Sequence, residues 1–169
     1  MCGACGGAQT SAPPAWLSPA EAGVTPRPFT AEQLRAGMPI GTELRYRVEE
    51  PPGPAVIMVM RVTASDELTG TIETQMLAED GTLVKNLGAA ATEWEALVKH
   101  ATFPAAATTV SAKTIETPAG TYPGVEYVVR EADTTRTFQF ARSLPGPPVV
   151  LVETTGGKVT SRMTLLSRK

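Results

Sequence analysis

Histidine, cysteine and aromatic side chains are scarce in this 169-residue chain, and each scarcity closes a route to chemistry. The single histidine, His100, cannot supply a histidine pair for a metal, and no second cysteine pair exists to complete four zinc ligands. The two cysteines, Cys2 and Cys5, both stand at the start of the chain, so the body has neither a disulfide nor a thiol to work with. Aromatic residues make up 5%. The longest strictly apolar run, Ala55 to Met60, falls far short of the roughly 18 residues that span a bilayer. Fifteen Lys and Arg against 17 Asp and Glu leave a net charge of −2, without the excess of basic residues that binding nucleic acid requires. No Gly-x-Ser-x-Gly elbow surrounds any serine, and the glycine-rich phosphate and dinucleotide loops are missing. Adjacent carboxylates occur at Glu49/Glu50, Asp66/Glu67 and Glu79/Asp80, all at expected turns, where a solvated pair is the ordinary outcome. No cofactor and no metal are expected.

What the chain has in quantity is Gly and Pro, 15 of each, and a sharp change of character near residue 29. Residues 1–28 are Gly, Ala, Pro and small polar residues, with Glu21 and Arg27 the only charges. Such a stretch buries too little apolar area to offset its ordering entropy, so it reads as a flexible tether. Trp16 and Leu17 are its only large apolar side chains apart from Met1 and Val24, and are expected to dock on the body. Residues 29–169 read as a single antiparallel β-rich domain.

Three chemistries are open to Cys2-Gly3-Ala4-Cys5. A redox pair of the Cys-x-x-Cys type needs a helix N-terminus behind it, and here Gly6-Gly7 and a Pro-rich segment follow. Half of a zinc site lacks its other half. The third reading makes Cys2 the lipid-bearing residue of a bacterial lipoprotein, with acyl chains in the membrane and a spacer letting a folded domain stand off it. No apolar signal stretch precedes Cys2 in the given sequence, so a cytoplasmic chain starting at Met1 is the alternative to an envelope location facing the periplasm.

In the body, Thr30-Ala31-Glu32-Gln33 is a capping box that starts a short helix, ended by Gly37 and Pro39. The period then changes from 3.6 to 2. Leu44, Tyr46 and Val48 alternate with charged residues between Glu43 and Glu49. Residues 55–63 are apolar on both faces for half their length, which predicts cover on both sides. Residues 68–77 alternate again, and Asp80-Gly81 predicts a hairpin back through 82–87. A second capping box, Thr92 to Glu95, is expected to open a helix with Trp94, Leu97, Val98 and Ala101 as its buried stripe. His100 falls on its polar flank and reads as a surface residue. Five more strands follow at 109–116, 121–130, 134–142, 149–155 and 158–166. Their spacing, close to ten residues, predicts a mainly β (α+β) fold: a curled antiparallel sheet or half-barrel meander of about nine strands, with one inserted helix and a short N-terminal helix. Met58, Met60, Met76 and Met163 are the candidate ligand-binding residues if the interior holds an apolar molecule. Their soft side chains suit a malleable pocket and equally suit an ordinary core.

In the C-terminal part the residues Thr117-Pro118-Ala119-Gly120-Thr121-Tyr122, Val125-Glu126-Tyr127, Phe138-Gln139-Phe140-Ala141-Arg142 and Leu144-Pro145-Gly146-Pro147-Pro148-Val149 form a series closed by a strand to Leu166. Over residues 109–169 it resembles uncharacterised exported bacterial proteins, many of them lipoproteins, whose domains look like the half-barrel of lipoprotein-carrier envelope proteins. The resemblance implies a curled sheet. It carries over no site residue, because its shared positions are turns and aromatics.

Three functions compete. One is a non-enzymatic envelope lipoprotein domain binding a lipid-like ligand or an envelope partner in its half-barrel, which requires an apolar and partly open cavity. Another is a protein–protein interaction module with a filled core. The last is an enzyme, which would need charged residues such as Arg47, Glu73 and Arg136 to converge in a cleft.

Overall fold

The computed structural model describes residues 13–169; Cys2 and Cys5, and with them the expected lipid attachment, lie outside the described residues. Helix α1 (Ala31–Gly37) forms where the capping box predicts it: the Thr30 hydroxyl accepts from the N–H of Gln33 while the Gln33 side chain accepts from the N–H of Thr30. Four strands follow, β1 (Glu43–Glu49), β2 (Val56–Ser65), β3 (Thr69–Ala78) and β4 (Leu83–Glu93). Helix α2 (Trp94–His100) and a short 3₁₀ turn (Ala105–Ala107) lead to β5 (Thr108–Thr117), β6 (Gly120–Glu131), β7 (Thr134–Ala141), β8 (Val150–Thr155) and β9 (Lys158–Arg168).

The nine strands make one antiparallel sheet in the order β4-β3-β2-β1-β9-β8-β7-β6-β5. The sheet is curled and does not close: β4 and β5 are its two edges. The topology is two meanders that share the β1–β9 pair. The chain travels from one edge to the other through α2, so the inserted helix bridges the trough of the half-barrel.

The period-2 pattern fixes which side chains meet on the inner face. Val110, Tyr127, Phe138, Leu151, Met163 and Val48 form one cross-strand row, each opposite the next. Val125 and Phe140 are paired in the neighbouring row. Tyr46, Val125, Tyr127, Phe140 and Leu165 are each at most 3% exposed. Burying a large apolar side chain contributes roughly 1.5–3 kcal/mol, so these rows dominate the fold's stability. Cover on both sides of β2 is also observed. Ile57 and Val59 face outward yet are buried, because Arg47 and Leu77 flank Ile57, and Arg45 and Gln75 flank Val59. The long stems of such side chains cover apolar surface while their charged ends reach water.

The described part of the segment expected as a tether, residues 13–28, lies against the body. Thr25 N–H donates to the Phe103 carbonyl (2.9 Å), Ala105 N–H to the Gly23 carbonyl (3.0 Å) and the Tyr127 hydroxyl to the Pro26 carbonyl (2.7 Å). Trp16 packs on Phe29 with ring centres 6.2 Å apart, and the Arg142 guanidinium lies over its indole. Trp16 and Leu17 thus dock on the body as expected, while the backbone bonds need no hydrophobic periodicity and leave no sign in the composition. The second capping box does not form: the N-cap of α2 is Glu93, without a side-chain bond, because Thr92 stays paired with Gly70 in the sheet.

Candidate functional site

The site is a cavity of about 300 Å³ between the inner face of the sheet and the elements that cross it. Met60 of β2, Ile72 of β3, Phe138 and Phe140 of β7, Leu151 of β8 and Met163 of β9 line its sheet side. Phe29, Leu34 of α1, Met38, and Leu97 and Val98 of α2 line its cover, and the Gly146-Pro147-Pro148 loop closes one flank. The volume lies at the lower end of the ~300–1,000 Å³ typical of small-molecule sites.

Each cover element is pinned. Trp94 starts α2 with its indole laid on Gly70, whose bare Cα makes room: a Cβ there would come within 2.5 Å of the ring. The indole N–H donates to the Asp66 carbonyl at 3.2 Å. At the other end of α2 the Thr102 hydroxyl donates to the Val98 carbonyl, and Phe103 stacks on Phe138 at 4.6 Å. Arg168, at the end of β9, holds two cover elements at once. Its guanidinium donates to the Gly37 carbonyl at the end of α1 and to the Pro145 carbonyl (3.3 Å) beside the Pro-Gly-Pro-Pro loop. Burial lowers its pKa, and the nearby Tyr46 and Tyr122 act in the opposite direction. Burial likewise pushes the phenols of Tyr46 and Tyr127 above their usual range.

Of the four expected ligand-binding methionines, Met60 and Met163 line the cavity. Met58 and Met76 do not. They face each other across β2 and β3 on the same side of the sheet, outside the lining. Met38 lines the cavity from the cover and was not among the expected residues; its place just past the end of α1 is the signal that was available. His100, expected as a surface residue, is exposed and also lines the cavity.

Among the described residues, the lining contains no carboxylate, amine, guanidinium, hydroxyl or thiol side chain. Arg47, Glu73 and Arg136, the examples of charged residues that an enzyme would bring together, each face a different partner. Arg47 of β1 binds Glu79 at 3.0 Å, Arg136 of β7 binds Glu153 at 2.7 Å, and Glu73 of β3 pairs in register with Arg61. Arg136 also reaches Glu131 at 3.1 Å. These are solvent-exposed pairs of the kind that adds little to stability.

No protein-family model and no curated protein matches the chain. Solved structures do match in fold. A protein assigned as exported, with a YmcC-like fold, from Bacteroides fragilis superposes with a TM-score of 0.51 at 12% identity, over 78% of this chain and 96% of that one. MucB gives 0.50 at 12% identity, over 82% of this chain and 56% of MucB. A protein assigned as a lipoprotein from Parabacteroides distasonis gives 0.47 at 13% identity, over 85% and 98%. The chain therefore shares its overall fold with the Bacteroides fragilis protein and MucB, both of distant sequence.

Proposed function

We propose that this chain is a non-enzymatic cell-envelope lipoprotein domain, held to the membrane through an acylated Cys2 and facing the periplasm, whose half-barrel accommodates an apolar chain. The single observation that carries the reading is the cavity: partly open, lined almost wholly by aliphatic, aromatic and thioether side chains, and roofed by helices rather than filled from the sheet. Apolar surface left facing an aqueous cavity is costly, and a hydrocarbon chain removes that cost at about 25 cal/mol per Å² covered. Met38, Met60 and Met163 supply side chains that repack around ligands of varied shape. The exported nature of the YmcC-like neighbour supports an envelope location. A scaffold with a filled core, the rival reading, has no use for this space.

The test is displacement of a fluorescent fatty-chain probe from the purified protein and from Leu151→Trp, which fills the cavity from β8. Binding that falls at least tenfold in Leu151→Trp, with an unchanged far-ultraviolet dichroism spectrum, supports the reading. Equal binding by both proteins, or none by either, contradicts it. Mass spectrometry of the native protein tests the anchor separately, through the mass of an acylated Cys2.

A further inference from the structure

Resting on the cavity as a ligand site, we infer that its occupant is a single-chain amphiphile with an acidic head, oriented tail-inward by His100. The lining runs from enclosed to exposed residues: Met38 is 1% exposed and Phe140 3%, while His100 is exposed. Among the described lining residues His100 is the only one with a nitrogen- or oxygen-bearing side chain. An amphiphile entering this space must put hydrocarbon against Met38 and Phe140 and bring its polar end to the imidazole.

His100 is also well held. It ends α2, which Trp94 fixes to Gly70 at one end and Phe103 fixes to Phe138 at the other. The imidazole therefore sits at a set position relative to the mouth. The guanidinium groups of Arg168 and Arg136 are committed elsewhere. Arg168 is bound to the carbonyls of Gly37 and Pro145, and Arg136, two residues from Phe138 on the same face, is bound by Glu153 and Glu131. Lys99, next to His100 in the last turn of α2, adds positive charge to that side. A hydrogen bond to an ionised acceptor is worth more than one to a neutral head, which makes a carboxylate or phosphate monoester the matching chemistry.

The experiment is isothermal titration of the full chain with dodecanoate, dodecyl phosphate and dodecanol, repeated with His100→Ala, His100→Lys and Lys99→Ala. Wild type should bind the two acids about tenfold more tightly than the alcohol. His100→Ala should bind all three with the affinity of the alcohol, and His100→Lys should restore the acid preference. Lys99→Ala should keep it. A preference for one acid alone would identify the head as carboxylate or phosphate. Equal binding of acids and alcohol by wild type, or an acid preference that survives in His100→Ala, overturns the inference while leaving the cavity a ligand site. Failure of every chain to bind would instead overturn the proposed function.

Discussion

Strands β4 and β6 are similar in length and in aliphatic content, yet they have opposite fates. Residues Val125, Tyr127 and Val129 of β6 are at most 4% exposed. Leu83, Val84 and Leu87 of β4 are 53–59% exposed. The difference does not lie in hydrophobicity. It lies in what crosses each strand. Phe103 packs on Tyr127 of β6, and the Tyr127 hydroxyl reaches up to Pro26. Among the described residues, β3 is the one strand that pairs with β4. In this half-barrel, burial is conferred by the cover, and the cavity is the part of the trough where the cover stands off the sheet.

The uncovered edge has its own protection. The β3–β4 pairing shifts register twice, and at the first shift Asn86 Oδ1 accepts from the Gly88 N–H at 2.9 Å with Gly88 at φ +79°. Bulges of this kind twist an edge and hinder pairing with another chain. The small residues Gly88 to Ala91 leave little apolar area to expose.

Substitutions can break this comparison, beginning with the largest expected effect. Trp94→Ala removes the indole that fixes α2 at the end of β4, and should cost about 3–5 kcal/mol in chemical unfolding. A cost below about 1 kcal/mol would mean that α2 is held by something else. Tyr127→Phe removes only the bond to Pro26 and leaves that carbonyl unpaired, so about 1–3 kcal/mol is expected on β6. The matched change on β4, Leu87→Ser, should stay within about 0.5 kcal/mol. If the β4 substitution proved as costly as the one on β6, burial would not follow from cover.

The smallest effect is a pH dependence in the β2–β3 turn. The Asp66 carboxylate accepts from the N–H of Thr69 (2.7 Å) and of Leu68 (2.8 Å) and from the Thr69 hydroxyl, which together hold it below the usual carboxylate range. A carboxylate lowered in the folded state stabilises above its unfolded pKa, near 3.9, and loses that contribution as pH falls through the folded value. The stability gap between wild type and Asp66→Ala should therefore be full at neutral pH and narrow below about pH 4. A gap that does not change with pH would show that the ionised form is not what the turn uses.

Much of this architecture is legible in the chain, for a physical reason. Strand β1 falls where Leu44, Tyr46 and Val48 alternate with charges, and the β6–β7 hairpin pairs Tyr127 with Phe138 as their shared periodicity predicts. Patterns of period 2 report one dry face, and here that face is real. Three features were not legible. Trp16 and Leu17 dock on the core as their size predicts, but the backbone bonds of Gly23 and Thr25 to the body leave no side-chain signature. The separation of Met60 and Met163 from Met58 and Met76 depends on where the cover stands off the sheet, a long-range feature that no local pattern carries. His100 reads as a surface residue and is one, but the surface it occupies is the rim of the cavity.

The most direct test is nuclear magnetic resonance of protein labelled at the methionine methyl groups, titrated with dodecanol. The account predicts that the Met38, Met60 and Met163 signals move with the ligand while Met76 stays in place. Movement of Met76 with Met60 and Met163 unmoved, or no movement at saturating dodecanol, would contradict it.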